Sequence, residues 1–197
     1  NEYNQHWTVT KNDVEAYVNY LSCQDDPDCD VNSTFPGYEV PDVISNWPAS
    51  HYDFDGTNEY LAPFIDVDGD GLYNNSDYPG YDLNAEGNCI ENDYLFGDQS
   101  IWWVFNDAGN SHGETAGTPI GLEIQAQAFA YKTNDELSDM TFYSYKIISW
   151  INIIIIMCRI IMCIDNPFAR NNSTNGHHFS IYLNCCGRSI CQNSCII

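Results

Sequence analysis

The sequence predicts a mainly β fold: an antiparallel, β-sandwich-like module with one short N-terminal helix and long acidic loops. Aromatic residues make up 14% of the 197 residues, and such residues are enriched in strands. In addition, "GLEIQAQAFAYK", residues 121–132, alternates apolar with mainly polar positions, which is typical of a strand with one covered face. The apolar fraction of 44% is enough for a buried core despite a formal net charge of −22.

The helix is predicted near the N-terminus, in "TKNDVEAYVNYL". Thr10 is followed three residues later by Asp13, which is the spacing of a helix-capping pair. The apolar residues that follow recur at helical spacing: Val14, Tyr17, Val18 and Leu21. Residues 25–60 are rich in Pro, Gly, Asn and Asp, so we expect loops with brief extended pieces there.

Strand signals dominate the region after residue 99. They occur in "SIWWVF" (100–105), in residues 121–132 and in "MTFYSYKII" (140–148). The last two flank the polar segment "TNDELSD", which predicts that 121–132 and 140–148 pair as an antiparallel hairpin. The small alanines of the first strand leave room for bulky side chains, such as the aromatics of "SIWWVF", to pack over them.

Two cysteines near the helix, Cys23 and Cys29, flank the turn-like segment "QDDPD". A disulfide between them would close this loop in an exported chain, and we predict that bond. Cys89 is then left over. The six cysteines after residue 149 do not show the spacing of a zinc site.

The segment "DVDGDGLYNNSD", residues 66–77, has the spacing of a calcium loop. A twelve-residue calcium loop supplies oxygens from positions 1, 3, 5, 7, 9 and 12 and turns at a glycine in position 6, which is Gly71 here. The predicted Ca²⁺ ligands are Asp66, Asp68, Asp70, the Leu72 carbonyl, Asn74 and Asp77. With Asp rather than Glu at position twelve, the loop resembles that of dockerin modules. The alternative is a metal-free acidic turn, but a turn does not require five side-chain ligands in register.

The excess of acidic residues, 28 against 6 basic ones, argues against nucleic acid and anionic membrane as partners, since both would repel the chain. A second acidic segment, "HYDFDGTNE", offers a less regular metal site or further ligands for the first: Asp53, Asp55, Asn58 and Glu59. His112 and Glu114, close to Asp107, are the best candidates for catalysis. The sequence shows no nucleophile or third ligand beside them, so a polar loop is the preferred interpretation and an enzyme is disfavoured.

The composition changes close to Ser149. Residues 1–149 hold 27 of the 28 acidic residues, whereas 150–197 hold one acidic residue, six cysteines and twelve isoleucines. Residues 147–164 reach the lower length limit of a transmembrane helix, but Asn152 and Arg159 lie inside this span and the isoleucines favour a strand. A reading-frame error explains the change better. We therefore predict a native module at 1–149 and an aberrant tail at 150–197.

A family resemblance covers nearly all of residues 1–149 and none of the tail. The stretches "ISNWPAS", "LAPFIDVDGDGLYNNSDYPGYD" and "GDQSIWWVFNDAGNSHGETAGTPIGLEIQAQAFAYKTNDELSDMTFYSYKIIS" together resemble a segment of large surface proteins of bacteria that use the type IX secretion system. The resemblance implies a fragment of a secreted or cell-surface protein and implies no catalytic residues.

The expected function is therefore a calcium-stabilised structural, adhesive or binding module whose partners are calcium and an extracellular glycan or another surface protein. A carbohydrate-binding module and a part of an extracellular hydrolase are the alternatives. Exposed aromatics along a groove would favour sugar binding, whereas buried aromatics would favour a structural module.

Overall fold

The computed structural model describes residues 5–52, 58–83, 94–107, 113 and 117–149, together with the backbone of two later strands. The elements are β1 (Trp7–Thr10), α1 (Lys11–Asp25), α2 (Val31–Thr34), α3 (Asp42–Ser45), β2 (Ser50–Tyr52), β3 (Asn58–Tyr60), β4 (Phe64–Ile65), β5 (Tyr78–Pro79), β6 (Gln99–Asn106), β7 (Leu122–Ala130), a 3-10 turn (Glu136–Asp139), β8 (Met140–Ser149), β9 (Cys158–Asp165) and β10 (Ser180–Cys185).

The strands form one large open sheet and two small ladders. The large sheet has the order β1-β6-β7-β8-β9-β10, and the small ladders are β2-β3 and β4-β5. β7 pairs antiparallel with β8, β8 with β9 and β9 with β10, and both small ladders are antiparallel as well. The predicted mainly β, antiparallel fold class is confirmed, and among the described elements α1 alone is a helix longer than four residues.

The chain divides into two compact units. One unit is Trp7–Ser100, and the other is Asn1–His6 with Ile101–Ile197. This division falls inside β6, whereas the sequence predicts a boundary at residue 149. The backbone of β9 pairs with β8, and β10 pairs with β9. That residues 150–197 form no stable part of the native module stays a prediction, which a truncation can test.

Helix α1 begins where the sequence predicts. Thr10 is its N-cap: its hydroxyl oxygen accepts a hydrogen bond from the Asp13 amide at 3.1 Å, and the Asp13 carboxylate accepts one from the Thr10 amide at 3.3 Å. This reciprocal pair satisfies two amides that a helix start leaves without partners. Val14, Tyr17 and Cys23 are the buried residues of the helix.

The predicted disulfide is also confirmed, since Cys23 and Cys29 are bonded with their Cα atoms 5.2 Å apart.

The hairpin of β7 and β8 is confirmed, with a register from Leu122 opposite Ser149 to Phe129 opposite Phe142. The bulky residues directly opposite the alanines come from β8. Tyr145 faces Ala126 and Tyr143 faces Ala128, and the two tyrosine rings stack with their centroids 6.4 Å apart.

The prediction that β7 has one covered face is wrong. Its polar residues Glu123, Gln125 and Gln127 are only 5–8% exposed, and Ala126 on the opposite face is buried as well. Burial of these polar groups is tolerated because they make hydrogen bonds: the Gln125 amide, for example, donates to the Glu123 carboxylate at 2.9 Å.

No helix in the described part of the chain is long and apolar enough to cross a membrane. Within the apolar span 147–164, whose length reaches the lower limit of a membrane helix, residues 147–149 and 158–164 are extended.

Candidate metal centre

A short two-stranded ladder flanks the loop 66–77 on both sides. Phe64 pairs with Pro79 and Ile65 with Tyr78, and the Gly80 amide donates to the Pro63 carbonyl at 2.9 Å. A Cβ atom at Gly80 would lie 2.8 Å from the carbonyl carbon of Pro63. Only glycine fits this close approach of the two chain segments. The ladder therefore brings the two ends of the loop together without flanking helices.

Carboxylates fold the first half of the loop by accepting backbone hydrogen bonds. Asp66 accepts from the amides of Gly69 at 2.7 Å and Gly71 at 2.9 Å, one on each oxygen. Asp68 accepts from the Asp70 amide at 3.1 Å. Gly69 and Gly71 have φ of 73° and 78°, a conformation that costs glycine little. These turns keep the chain curled around its acidic side chains.

The curled backbone places the carboxylates of Asp66, Asp68 and Asp70 together. One ligand atom of each lies within 4.8 Å of the others, and all three side chains are exposed. Negative charges this close repel one another, and a cation between them removes the repulsion. An oxygen-only ligand set suits hard cations such as Ca²⁺ and Mg²⁺. The residues present therefore fit a divalent metal ion.

The second half of the loop contributes polar groups that support Asp68. The side-chain amide of Asn74 donates to the Asp68 carboxylate at 2.9 Å, and the Ser76 hydroxyl donates to it at 3.2 Å. These bonds, with that of Asn74 contributing most, hold the pKa of Asp68 below its usual value. The carboxylate therefore stays ionised, as metal binding requires.

Asp77, the predicted twelfth-position ligand, turns into the loop. It is 0% exposed, and its two oxygens accept from the amides of Val67 at 2.9 Å and Asn74 at 2.8 Å. Burial raises its pKa, the two backbone donors oppose that shift, and the charges of Asp68 and Asp66 add to it. Asp77 thus ties the start of the loop to its end.

Three of the six predicted ligands, Asp66, Asp68 and Asp70, are thereby grouped. The Leu72 amide donates to Asp70 at 2.7 Å. The full set of six ligands stays a prediction.

Two tyrosines, one from helix α1 and one from the loop itself, connect the loop to the helical segments. The Tyr17 hydroxyl donates to the Asn75 carbonyl at 2.6 Å, and the Tyr73 hydroxyl donates to the Ile44 carbonyl at 2.7 Å. Burial raises the pKa of both phenols, and the nearby Asp77 charge contributes to both shifts. The sequence does not reveal these roles, because the partner of Tyr17 lies 58 residues away and no local pattern indicates it.

The other candidate groups divide in two. Asp53, Asp55, His112 and Glu114 lie outside the described residues, and the side chains of Asn58 and Glu59 are not described either. Asp107 has a structural contact: its carboxylate accepts from the amides of Ile120 at 2.6 Å and Leu122 at 2.9 Å. It therefore fastens the end of β6 to the start of β7.

Comparison of the chain with protein-family models, with curated proteins and with solved structures finds no match in any of the three.

Proposed function

We propose that this chain is a calcium-stabilised structural, adhesive or binding module of a secreted bacterial surface protein. The observation that carries the proposal is the loop 66–77, in which Asp66, Asp68 and Asp70 offer ligand atoms within 4.8 Å of one another. Their spacing is that of positions 1, 3 and 5 of a calcium loop. The remaining oxygens come from the predicted ligands later in the loop and from water.

Calcium is preferred over magnesium because of the surroundings of the carboxylates. Mg²⁺ requires a small octahedral shell and usually binds through one or two carboxylates, whereas Ca²⁺ accepts six to eight oxygens in flexible geometry. Three exposed carboxylates on one turn match the calcium requirement better.

The placement of the large aromatic residues supports a structural or protein-binding role over sugar binding. Trp47, Trp102, Tyr17 and Tyr81 are 2–4% exposed, whereas Phe105 and Tyr131 are 47% and 36% exposed. Buried aromatics stabilise the core and offer no stacking surface to a sugar ring. The Cys23–Cys29 disulfide supports an oxidising, extracellular location, because disulfides persist in exported proteins.

Calorimetric titration of chelator-treated protein tests the metal site. We expect uptake of Ca²⁺ and weaker competition by Mg²⁺. For a dissociation constant of ~10⁻⁴ M, typical of extracellular modules, and roughly 1–2 mM calcium, binding to the folded state adds about 1.4–1.8 kcal/mol of stability. A chelator should lower the melting temperature accordingly.

Asp70→Ala should remove most of this calcium response, while Asp42→Ala provides the control because Asp42 lies in the first turn of α3, outside the loop. No calcium uptake by the wild type, or equal uptake by Asp70→Ala, contradicts the proposal.

A further inference from the structure

We propose that Tyr17 of helix α1 is a positioning residue for the metal loop, and that calcium binding acts through it on the disulfide-bearing helix. The inference rests on the proposed calcium site and adds a regulated partner to it, the Cys23–Cys29 disulfide. Calcium would then protect this bond from reduction.

The hydroxyl of Tyr17 contacts the second half of the loop, next to the residues that support the acidic cluster. Tyr17 is 4% exposed, and its hydroxyl donates to the Asn75 carbonyl at 2.6 Å. Asn75 lies between Asn74, which donates to Asp68, and Asp77, which accepts from Val67. The Tyr17 bond therefore attaches the half of the loop that supports the acidic cluster to the helix.

The closed loop is the state that both the cation and Tyr17 stabilise. Without a cation, the grouped carboxylates of Asp66, Asp68 and Asp70 favour separation, and the hydroxyl bond opposes it. Calcium binds the closed arrangement, so any contact made only in that arrangement raises the calcium affinity. By linkage, calcium strengthens the same contact to the same extent.

Helix α1 carries this effect to the disulfide. Tyr17 and Cys23 are both buried residues of the helix, and the helix also contacts β5, which directly follows the loop. Cys29, the other half of the disulfide, is partly exposed. The exposed side of the bond admits a reductant, and the proposal requires that local opening of the helix end sets the rate of the reduction.

The test compares the wild type with Tyr17→Phe, which removes the hydroxyl and keeps the ring. Tyr20→Phe is the matched control, since the Tyr20 hydroxyl pairs with Gln24 inside the same helix at 3.0 Å. Calcium affinity is measured by calorimetry, and reduction of the disulfide by dithiothreitol is followed with and without calcium. Tyr17→Phe should weaken calcium affinity roughly two- to tenfold, the range expected for one hydrogen bond.

In the wild type and in Tyr20→Phe, calcium should slow reduction of the disulfide; in Tyr17→Phe the slowing should be much smaller. A reciprocal measurement uses the wild type alone: the protein with its disulfide reduced should bind calcium more weakly than the oxidised protein. This measurement does not depend on the folding of any variant.

The outcomes separate this inference from the proposed function. If the wild type takes up no calcium, the proposed function and this inference both fail. If the wild type binds calcium but Tyr17→Phe binds it equally well and shows the same calcium effect on reduction, this inference alone fails. A merely structural role would lower the melting temperature of Tyr17→Phe equally with and without calcium and leave the affinity unchanged, which also overturns it.

Discussion

Gly80→Ala should destabilise the protein, because a methyl group does not fit between the two chain segments at the base of the metal loop. The added methyl carbon would lie 2.8 Å from both the carbonyl carbon and oxygen of Pro63 and 3.0 Å from the amide nitrogen of Phe64. These are backbone atoms, so no side-chain rotation relieves the overlap. Moving the 2.8 Å contacts out to 3.4 Å, where ordinary contact begins, needs a shift of 0.6 Å.

That shift also stretches the hydrogen bond from the Gly80 amide to the Pro63 carbonyl, now 2.9 Å, to the limit of hydrogen-bond distance. Overpacking costs about 1–3 kcal/mol and the weakened bond about 0.5–1.5 kcal/mol, while the stiffer unfolded chain returns about 0.4–1 kcal/mol. We expect a net loss of roughly 0.5–4 kcal/mol. The middle of this range corresponds to a fall in melting temperature of about 5–10 °C for a chain of this size.

Differential scanning calorimetry of calcium-loaded protein measures the effect. Gly113→Ala is the control, because a Cβ atom there meets nothing within 4 Å, and it should keep the wild-type stability or gain up to about 1 kcal/mol from the stiffer unfolded chain. Equal melting temperatures for Gly80→Ala and the wild type would refute the steric argument. A fall as large in Gly113→Ala would show that the effect is unrelated to the close approach.

Three further outcomes are expected. Cys29→Ser opens a disulfide ring with a sequence separation of 6, and loop-closure entropy predicts a loss of about 2.2–2.4 kcal/mol in denaturant unfolding; an unchanged midpoint would contradict this. The Thr133 hydroxyl is the main cause that lowers the pKa of Asp135. The stabilising contribution of this carboxylate is therefore present above its unfolded-state pKa and is lost as pH falls through the lower folded-state pKa. Between about pH 5 and 2, Asp135→Asn should lose less stability than the wild type. Removing residues 150–197 should leave cooperative thermal unfolding intact, and its loss on truncation would show that the tail is native structure.

The sequence by itself determined the features that depend on near neighbours along the chain. The start of α1 follows from Thr10 and Asp13, three residues apart, and the β7–β8 hairpin follows from two strand patterns around a short polar connector. The bond between Cys23 and Cys29 spans a six-residue separation. Each of these interactions depends little on the rest of the fold, because the backbone itself holds the partners close together.

The grouping of Asp66, Asp68 and Asp70 belongs to the same class. Their carboxylates accept hydrogen bonds from amides two to five residues away, so the spacing of the residues was sufficient to predict a cluster. Asp77 shows the limit of that reasoning. Its place in the ligand register stays a prediction, and the register did not indicate that its carboxylate reaches back ten residues to Val67 and is fully buried.

Only the tertiary structure decided what holds the loop and what covers the strands. Tyr17 meets Asn75 across 58 residues of sequence, and the buried polar row of β7 depends on neighbours that strand periodicity does not reveal. A period of two distinguishes the two faces of a strand but does not tell whether each is covered. Contacts between distant segments depend on how complete elements pack, and packing is a property of the whole chain rather than of any short stretch.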